Sequence, residues 1–138
     1  MKQLKVKDNK FIPFGKFYII NLFGTLFRRD KYKNTRVYPK TINHEGIHEC
    51  QAEDFIPNKS NKLWKKILGY LIFYIVYLLE FLLKAIVWLF CYNFKIYHSL
   101  SFEQEAYKYQ YIYDYQDNRK RWEWTKYLFK VIRNGRKR

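Results

Sequence analysis

Residues 67–92 carry almost no polar side chains, and this limits the folds open to the chain. The run Ile67-Leu68-Gly69-Tyr70-Leu71-Ile72-Phe73-Tyr74-Ile75-Val76-Tyr77-Leu78-Leu79 is followed, after Glu80, by Phe81-Leu82-Leu83 and, after Lys84, by Ala85-Ile86-Val87-Trp88-Leu89-Phe90-Cys91-Tyr92. As one helix it is roughly 39 Å long, enough to cross a bilayer. A helix apolar all round must be buried in protein or in lipid. At the centre of a span Glu80 and Lys84 would each cost roughly 2.5–3.5 kcal/mol. Four residues apart, they can pair with each other, or Glu80 can reach back into the protein. The uninterrupted part, 67–79, has 13 residues, the length of a core helix. Membrane insertion and a soluble helical core both stay open. Lys62, Lys65 and Lys66 on one side and Lys95 on the other would sit at headgroup level.

The chain has 138 residues, one domain's length, and a hydrophobic share of 49% that excludes disorder. Its formal net charge of +15 predicts attraction to an anionic surface, membrane or nucleic acid. Cys50 and Cys91 form no disulfide framework and point to a reducing compartment. Lys2, Lys5 and Lys7 precede the apolar stretch Phe11 to Phe27, but Pro13, Gly15, Lys16 and Asn21 interrupt it and no small-x-small site follows. The N-terminus therefore reads as strand material and not as a cleavable signal peptide. Asn58-Lys59-Ser60, a formal glycosylation sequon, reads as a loop.

Two of the three histidines lie in His44-Glu45-Gly46-Ile47-His48, an H-E-x-x-H sequence. Positions i and i+4 of a helix share a face, so the two imidazoles can hold one Zn²⁺ at about 2.0–2.1 Å each. The glutamate after the first histidine is placed to take a proton from a water at the ion. Zinc-assisted hydrolysis, most often of a peptide bond, is the chemistry this spacing serves. Six of the 12 acids lie in two segments, as Glu45, Glu49, Glu53, Asp54, Glu103 and Glu105. In a basic chain, acids gathered there can offset the charge of an ion; acids near a helix start also favour the helix dipole.

The expected fold is mainly α, of α+β type: N-terminal strands or a hairpin, then four helices. Residues 11–38 are the strand region. Phe17-Tyr18-Ile19-Ile20 and Thr25-Leu26-Phe27 are β-favouring, with Asn21 and Gly24 for a turn. Residues 28–36 read as a solvated basic connector and Val37-Tyr38 as a short strand. A helix at 39–56 carries the motif, with Pro39 in its first turn and Pro57 and Asn58 ending it. Gly46 lets another element approach the zinc face of this helix closely, or is a neutral accident. Gln51 shares the face of His48, as a support for the metal ligands or as an ordinary polar contact. The apolar helix fills 63–94. At 101–133, Ser101 and Gln104 form a capping box for a helix reaching about Tyr115, Asp117-Asn118 make a turn, and a last helix runs from Arg119 to Arg133. Gly135 ends it, and 134–138 form a basic tail.

A catalytic zinc site needs a third protein ligand. Glu103-Gln104-Glu105-Ala106 matches the E-x-x-A pattern of glutamate-ligand zincins. Glu103 is the expected ligand, Glu105 comes next, and His98, in an irregular stretch, comes after both. The two glutamates point about 200° apart on a helix, so only one can face the ion, and Ala106 lets the helices approach.

Asn21-Leu22-Phe23-Gly24-Thr25-Leu26-Phe27, Asn43-His44-Glu45-Gly46-Ile47-His48-Glu49-Cys50-Gln51, Tyr77-Leu78-Leu79-Glu80 and Ser101-Phe102-Glu103-Gln104-Glu105-Ala106-Tyr107 together resemble the signatures of a family of short bacterial H-E-x-x-H proteins common in the Bacteroidetes. The resemblance covers about residues 11 to 130. It implies a single gluzincin-like metallopeptidase domain with His44, His48 and Glu103 as zinc ligands and Glu45 as base. It also implies that Glu80 supports structure or site. Gly46 and Glu49-Cys50 depart from the family, where bulkier or uncharged residues are usual. Tyr107, Tyr111, His98 and Arg119 are the candidates to stabilise a transition state, and Gln51, Glu105, Tyr107 and Glu80 those to support the site.

Three functions follow. The first is a zinc-dependent peptidase acting on a peptide or protein at an anionic membrane surface. The second is a catalytically inactive, membrane-bound scaffold on the same fold. The third is a nucleic-acid binder, from the basic–aromatic run Arg119-Lys120-Arg121-Trp122-Glu123-Trp124, which also describes a helix at a membrane surface. The expected location is membrane-associated or cytoplasmic, in a bacterium or phage-encoded; lysine and asparagine richness fits an AT-rich genome.

Overall fold

The computed structural model describes residues 4–13, 18–57, 62–91 and 94–133. Phe17, Asn58-Lys59-Ser60, Gly135 and the basic tail lie outside the described residues. The chain is mainly α with a small N-terminal sheet, as expected. Three strands, β1 (Lys5–Asn9), β2 (Ile19–Leu22) and β3 (Thr25–Arg29), precede five α-helices among the described residues: α1 (Pro39–Asp54), α2 (Leu63–Cys91), α3 (Ile96–Ser99), α4 (Ser101–Tyr109) and α5 (Tyr115–Asn118).

The hairpin forms where the β-favouring residues predict it. Phe23 and Gly24, both at positive φ (51° and 73°), make the two-residue turn, as the twist of a tight hairpin requires. Asn21 is not in the turn; it pairs with Leu26 inside β2, and its side-chain amide donates to the Glu45 carbonyl at 3.2 Å. That bond ties the sheet to the motif helix. β1 lies before the expected strand region and adds to β3 in parallel, Lys5 opposite Thr25, giving the order β1-β3-β2. Arg28 and Arg29 extend β3, so the basic connector is shorter than expected, and Arg28 is paired to Asp8 at 2.6 Å. Val37 and Tyr38 form no strand: Tyr38 is extended but serves as the N-cap of α1, with Pro39 behind it.

α1 and α4 meet at the centre, and α2 covers them. The core joins Ala52 of α1, Phe73 of α2, Phe102 of α4 and Trp124, with Phe102 and Trp124 ring centroids 4.3 Å apart. α2 turns Gly69, Phe73, Glu80 and Lys84 inward, four or seven residues apart, as one helical face requires.

Glu80 starts α4. Its Oε1 accepts the Ser101 backbone N–H at 2.8 Å and its Oε2 the Ser101 hydroxyl at 2.7 Å. A helix start has unsatisfied N–H groups and partial positive charge, and a carboxylate answers both. The Ser101–Gln104 capping box is therefore not formed: Leu100 is the N-cap, Ser101 is the first helical residue, and the Gln104 amide donates to Ser99 O at 2.7 Å and Lys130 O at 2.9 Å. Lys84 lies 2.7 Å from Glu80 Oε1 and also donates to Ser99 O. Both charges that interrupt the apolar run are thus inside the protein.

Two further expectations fail for local reasons. α4 stops at Tyr109 because the buried Asn43 amide gathers the carbonyls of Tyr109 (3.2 Å), Gln110 (2.9 Å) and Ile112 (3.1 Å); the expected Asp117-Asn118 turn is part of α5. The helix expected over Arg119 to Arg133 is replaced by a 3₁₀ turn at Glu123–Tyr127 and an extended end bridging Arg133 to Phe94. Asp54 is the cause. It pairs with Arg119 and accepts the Trp122 N–H at 3.0 Å, holding Trp122 at a φ of 64° that no right-handed helix contains. His98 lies in the short helix α3 and not in an irregular stretch.

Glu80→Ala leaves the Lys84 ammonium buried without its anion and α4 without its cap. It is expected to cost about 3–5 kcal/mol in chemical denaturation, against about 1 kcal/mol for Ser101→Ala. A Glu80→Ala cost under about 1 kcal/mol, the range of an exposed pair, contradicts the capping role.

Candidate metal centre

The motif forms on α1 because Pro39 starts the helix and its inward face, from Asn43 to Asp54, is buried against α4. His44 and His48 project from successive turns, their Nε2 atoms 3.2 Å apart. Glu103, in the first turn of α4, lies across them: Oε2 is 3.4 Å from His44 Nε2 and Oε1 is 3.3 Å from His48 Nε2. The three residues' ligand atoms lie within 4.8 Å of one another, and together they can hold a metal ion. Adjacent donors of a tetrahedral site with bonds of about 2.0–2.1 Å stand about 3.3 Å apart, close to the separation of the two imidazole nitrogens. Glu103 Oε2 is buried with no hydrogen-bond partner among the described residues. A buried carboxylate oxygen left bare costs free energy, which a cation at the histidine pair would recover.

Charge at the site is tightly balanced. Burial disfavours a charged His48, but the Glu103 and Glu45 carboxylates outweigh it and push the imidazole up to about 9. Burial likewise works against the Glu103 charge, yet His48 and His44 hold its carboxyl well below the usual range. Glu45 is half-buried, and burial raises its carboxyl against the pull of His48 and His44. Without a metal, a proton on His48 thus neutralises Glu103, and a cation bound there would displace it.

Gln51 supports the ligands. Its amide nitrogen donates to Phe102 O at 3.0 Å and Glu105 Oε2 at 3.1 Å, so its oxygen, 2.7 Å from His48 Nδ1, accepts. That assignment follows from the network. It places the neutral imidazole's hydrogen on Nδ1 and leaves the Nε2 lone pair facing His44 and Glu103. Glu105 does not face the histidines. It is fully buried and accepts from Gln51, from Tyr115 at 2.9 Å and from Arg119 at 2.5 Å, while Arg119 also grips Asp54 at 2.9–3.0 Å. A chain of bonds therefore runs from Asp54 through Arg119, Glu105 and Gln51 to His48. His44 has no comparable support: its Nδ1 is buried without a hydrogen bond among the described residues, and the Tyr107 ring packs against it at 4.7 Å.

The other sequence candidates separate clearly. Tyr107, partly exposed, stays beside the site. His98 packs at a tilt against the Tyr107 ring, centroids 5.0 Å apart, and is not in the group formed by His44, His48 and Glu103. Arg119 is occupied by its two carboxylates, and Tyr111 lies out against Lys40. Glu80 acts at a distance, by fixing the start of α4. Gly46 faces α5: a Cβ there would collide with the Gln116 side chain. Sequence reasoning passed over two residues. The Tyr77 hydroxyl donates to Glu103 Oε1 at 2.9 Å, and the Tyr97 phenol, its pKa raised by burial, lies close enough to Glu103 for that charge to raise it further. Tyr77 had a usable signal, since it precedes Glu80 by three and shares its inward face.

Compared with models of known families, with curated proteins and with solved structures, the chain matches none.

Gln51→Leu removes the acceptor that orients His48 and should lower metal affinity 10–100-fold with the fold retained, as read by competition with a chromophoric chelator. Affinity within twofold of the parent contradicts the supporting role.

Proposed function

We propose that this protein is a zinc-dependent hydrolase, a peptidase working at a membrane surface. The observation that carries the reading is the group of His44, His48 and Glu103, buried but for a partly open His48, with Glu45 beside it. Two imidazoles and one carboxylate are a donor set of catalytic zinc, leaving a position open. Zinc bound there supplies a Lewis acid that polarises a scissile carbonyl and makes water acidic enough to lose a proton near neutral pH.

The chain's own residues supply the rest. Glu45, its carboxyl raised by burial, takes the proton of the attacking water and delivers it to the leaving amine. Gln51 holds His48 in the tautomer that binds, and Tyr77 fixes the Glu103 carboxylate. Burial and the nearby carboxylates keep the Tyr107 phenol protonated, so it can donate to charge developing on a substrate oxygen.

Membrane association rests on α2. It has 29 residues, a mean hydropathy of 2.1 in its most apolar window and only 17% of that window buried, whereas the core helix of a soluble protein is mostly covered. The exposed face of α2 also suits a scaffold without turnover. Nucleic-acid binding draws less support from the run 119–124, because Arg119 is paired and Arg121 donates to the Asp54 and Ile56 carbonyls.

With zinc-loaded protein and a diverse peptide library, Glu45→Gln is expected to lower turnover by about 10²–10⁴-fold while one equivalent of metal stays bound. Retained turnover contradicts the role of Glu45, and no cleavage by the parent favours the scaffold.

A further inference from the structure

We propose that α2 lies along the membrane interface with its outward face in the acyl layer, and does not cross the bilayer. This rests on the reading that the protein binds membranes, and it concerns how.

α2 has two unlike sides. The inward side carries Gly69, Phe73, Glu80 and Lys84, and these contacts extend over about 22 Å of the helix axis. The outward side presents Leu71, Ile75, Leu78, Leu82, Ile86 and Leu89, all exposed, and past Glu80 the flank along the groove leaves Leu83, Val87 and Phe90 exposed as well. Glu80 and Lys84, the charged residues at the middle of the helix, are both turned inward.

An upright helix would set the packed stretch across about three-quarters of a hydrocarbon layer roughly 30 Å thick. The elements joined to it would go in too. Leu128, Phe129 and Val131 line a groove of about 500 Å³ with Leu79, Leu83 and Val87 of α2, so the exposed Lys130, between Phe129 and Val131, lies near the level of the helix middle. A cation there would cost roughly 2.5–3.5 kcal/mol. Laid flat, the same helix places its outward face in lipid, with Leu83, Val87 and Phe90 following at the flank, and keeps the body in water, as interfacial helices do. Phe129, 97% exposed beside the groove, adds apolar surface on this side.

An anionic bilayer fits better than a second copy of the chain. The net charge of +15 attracts an anionic surface and repels another copy. Lys62, Lys65 and Lys66 at the start of the helix and Lys95 after its end suit headgroup phosphates.

The test uses full-length protein with Cys91→Ser and one new cysteine at a time: Ile67→Cys, Leu78→Cys or Leu89→Cys. These outward positions are about three turns apart and exposed, so the fold is spared. Each is labelled with an environment-sensitive fluorophore and mixed with vesicles of phosphatidylglycerol and phosphatidylcholine carrying nitroxide lipids of graded depth. The proposal expects equal, shallow quenching depth at all three sites. Binding with Leu78→Cys deepest and the two end positions shallow shows a spanning helix and overturns it. No vesicle binding at any position overturns the membrane reading itself, and if the labels are then buried in a dimer the occupant is a second copy.

Discussion

Glu80 is the interaction on which the site's geometry depends. It lies near the middle of an otherwise apolar helix, where an unpaired carboxylate would be costly. Its two oxygens instead accept the N–H and hydroxyl of Ser101, and Lys84 beside it balances the charge. This fixes where α4 begins. Glu103 is two residues on, in the first turn, so its place against His44 and His48 follows from that start. The charges that make α2 a poor span are thus those that attach it to the rest of the chain.

A second polar assembly works from the other end of α1. Asp54, Arg119 and Glu105 form a buried ion cluster, and Gln51 connects it to His48. Such clusters contribute little net stability compared with apolar packing, but removing one member leaves others uncompensated. Their effect here is positional: they fix the imidazole ring of His48 and the path of the chain after α5. α1 and α4 thus carry their polar residues toward each other, and the centre between them is made of a group that could hold a metal ion and the residues that position it.

Much of this was legible because it depends on local spacing. The i, i+4 histidines, the two β-favouring segments around Gly24 and the length of the apolar helix are periodic signals. Glu103 was legible from the E-x-x-A pattern and is the glutamate that faces the histidines. The remainder was hidden because it depends on partners far apart in sequence. Ser101 and Gln104 have the spacing of a capping box, but Glu80 takes the place of the cap. Residues 119–133 contain enough apolar anchors for a helix, but Asp54 captures Arg119 and the Trp122 N–H and breaks it. Tyr97 reaches Glu103 only because α3 folds back beside α4, which no local pattern announces.

His44, His48 and Glu103 either hold a metal together or the centre described here does not exist. The direct measurement is elemental analysis of protein purified under zinc-replete conditions, beside His44→Ala and Glu103→Ala. The account predicts about one zinc per chain in the parent and its loss in both variants. Parent protein without metal, or variants that retain it in full, would contradict the centre described here.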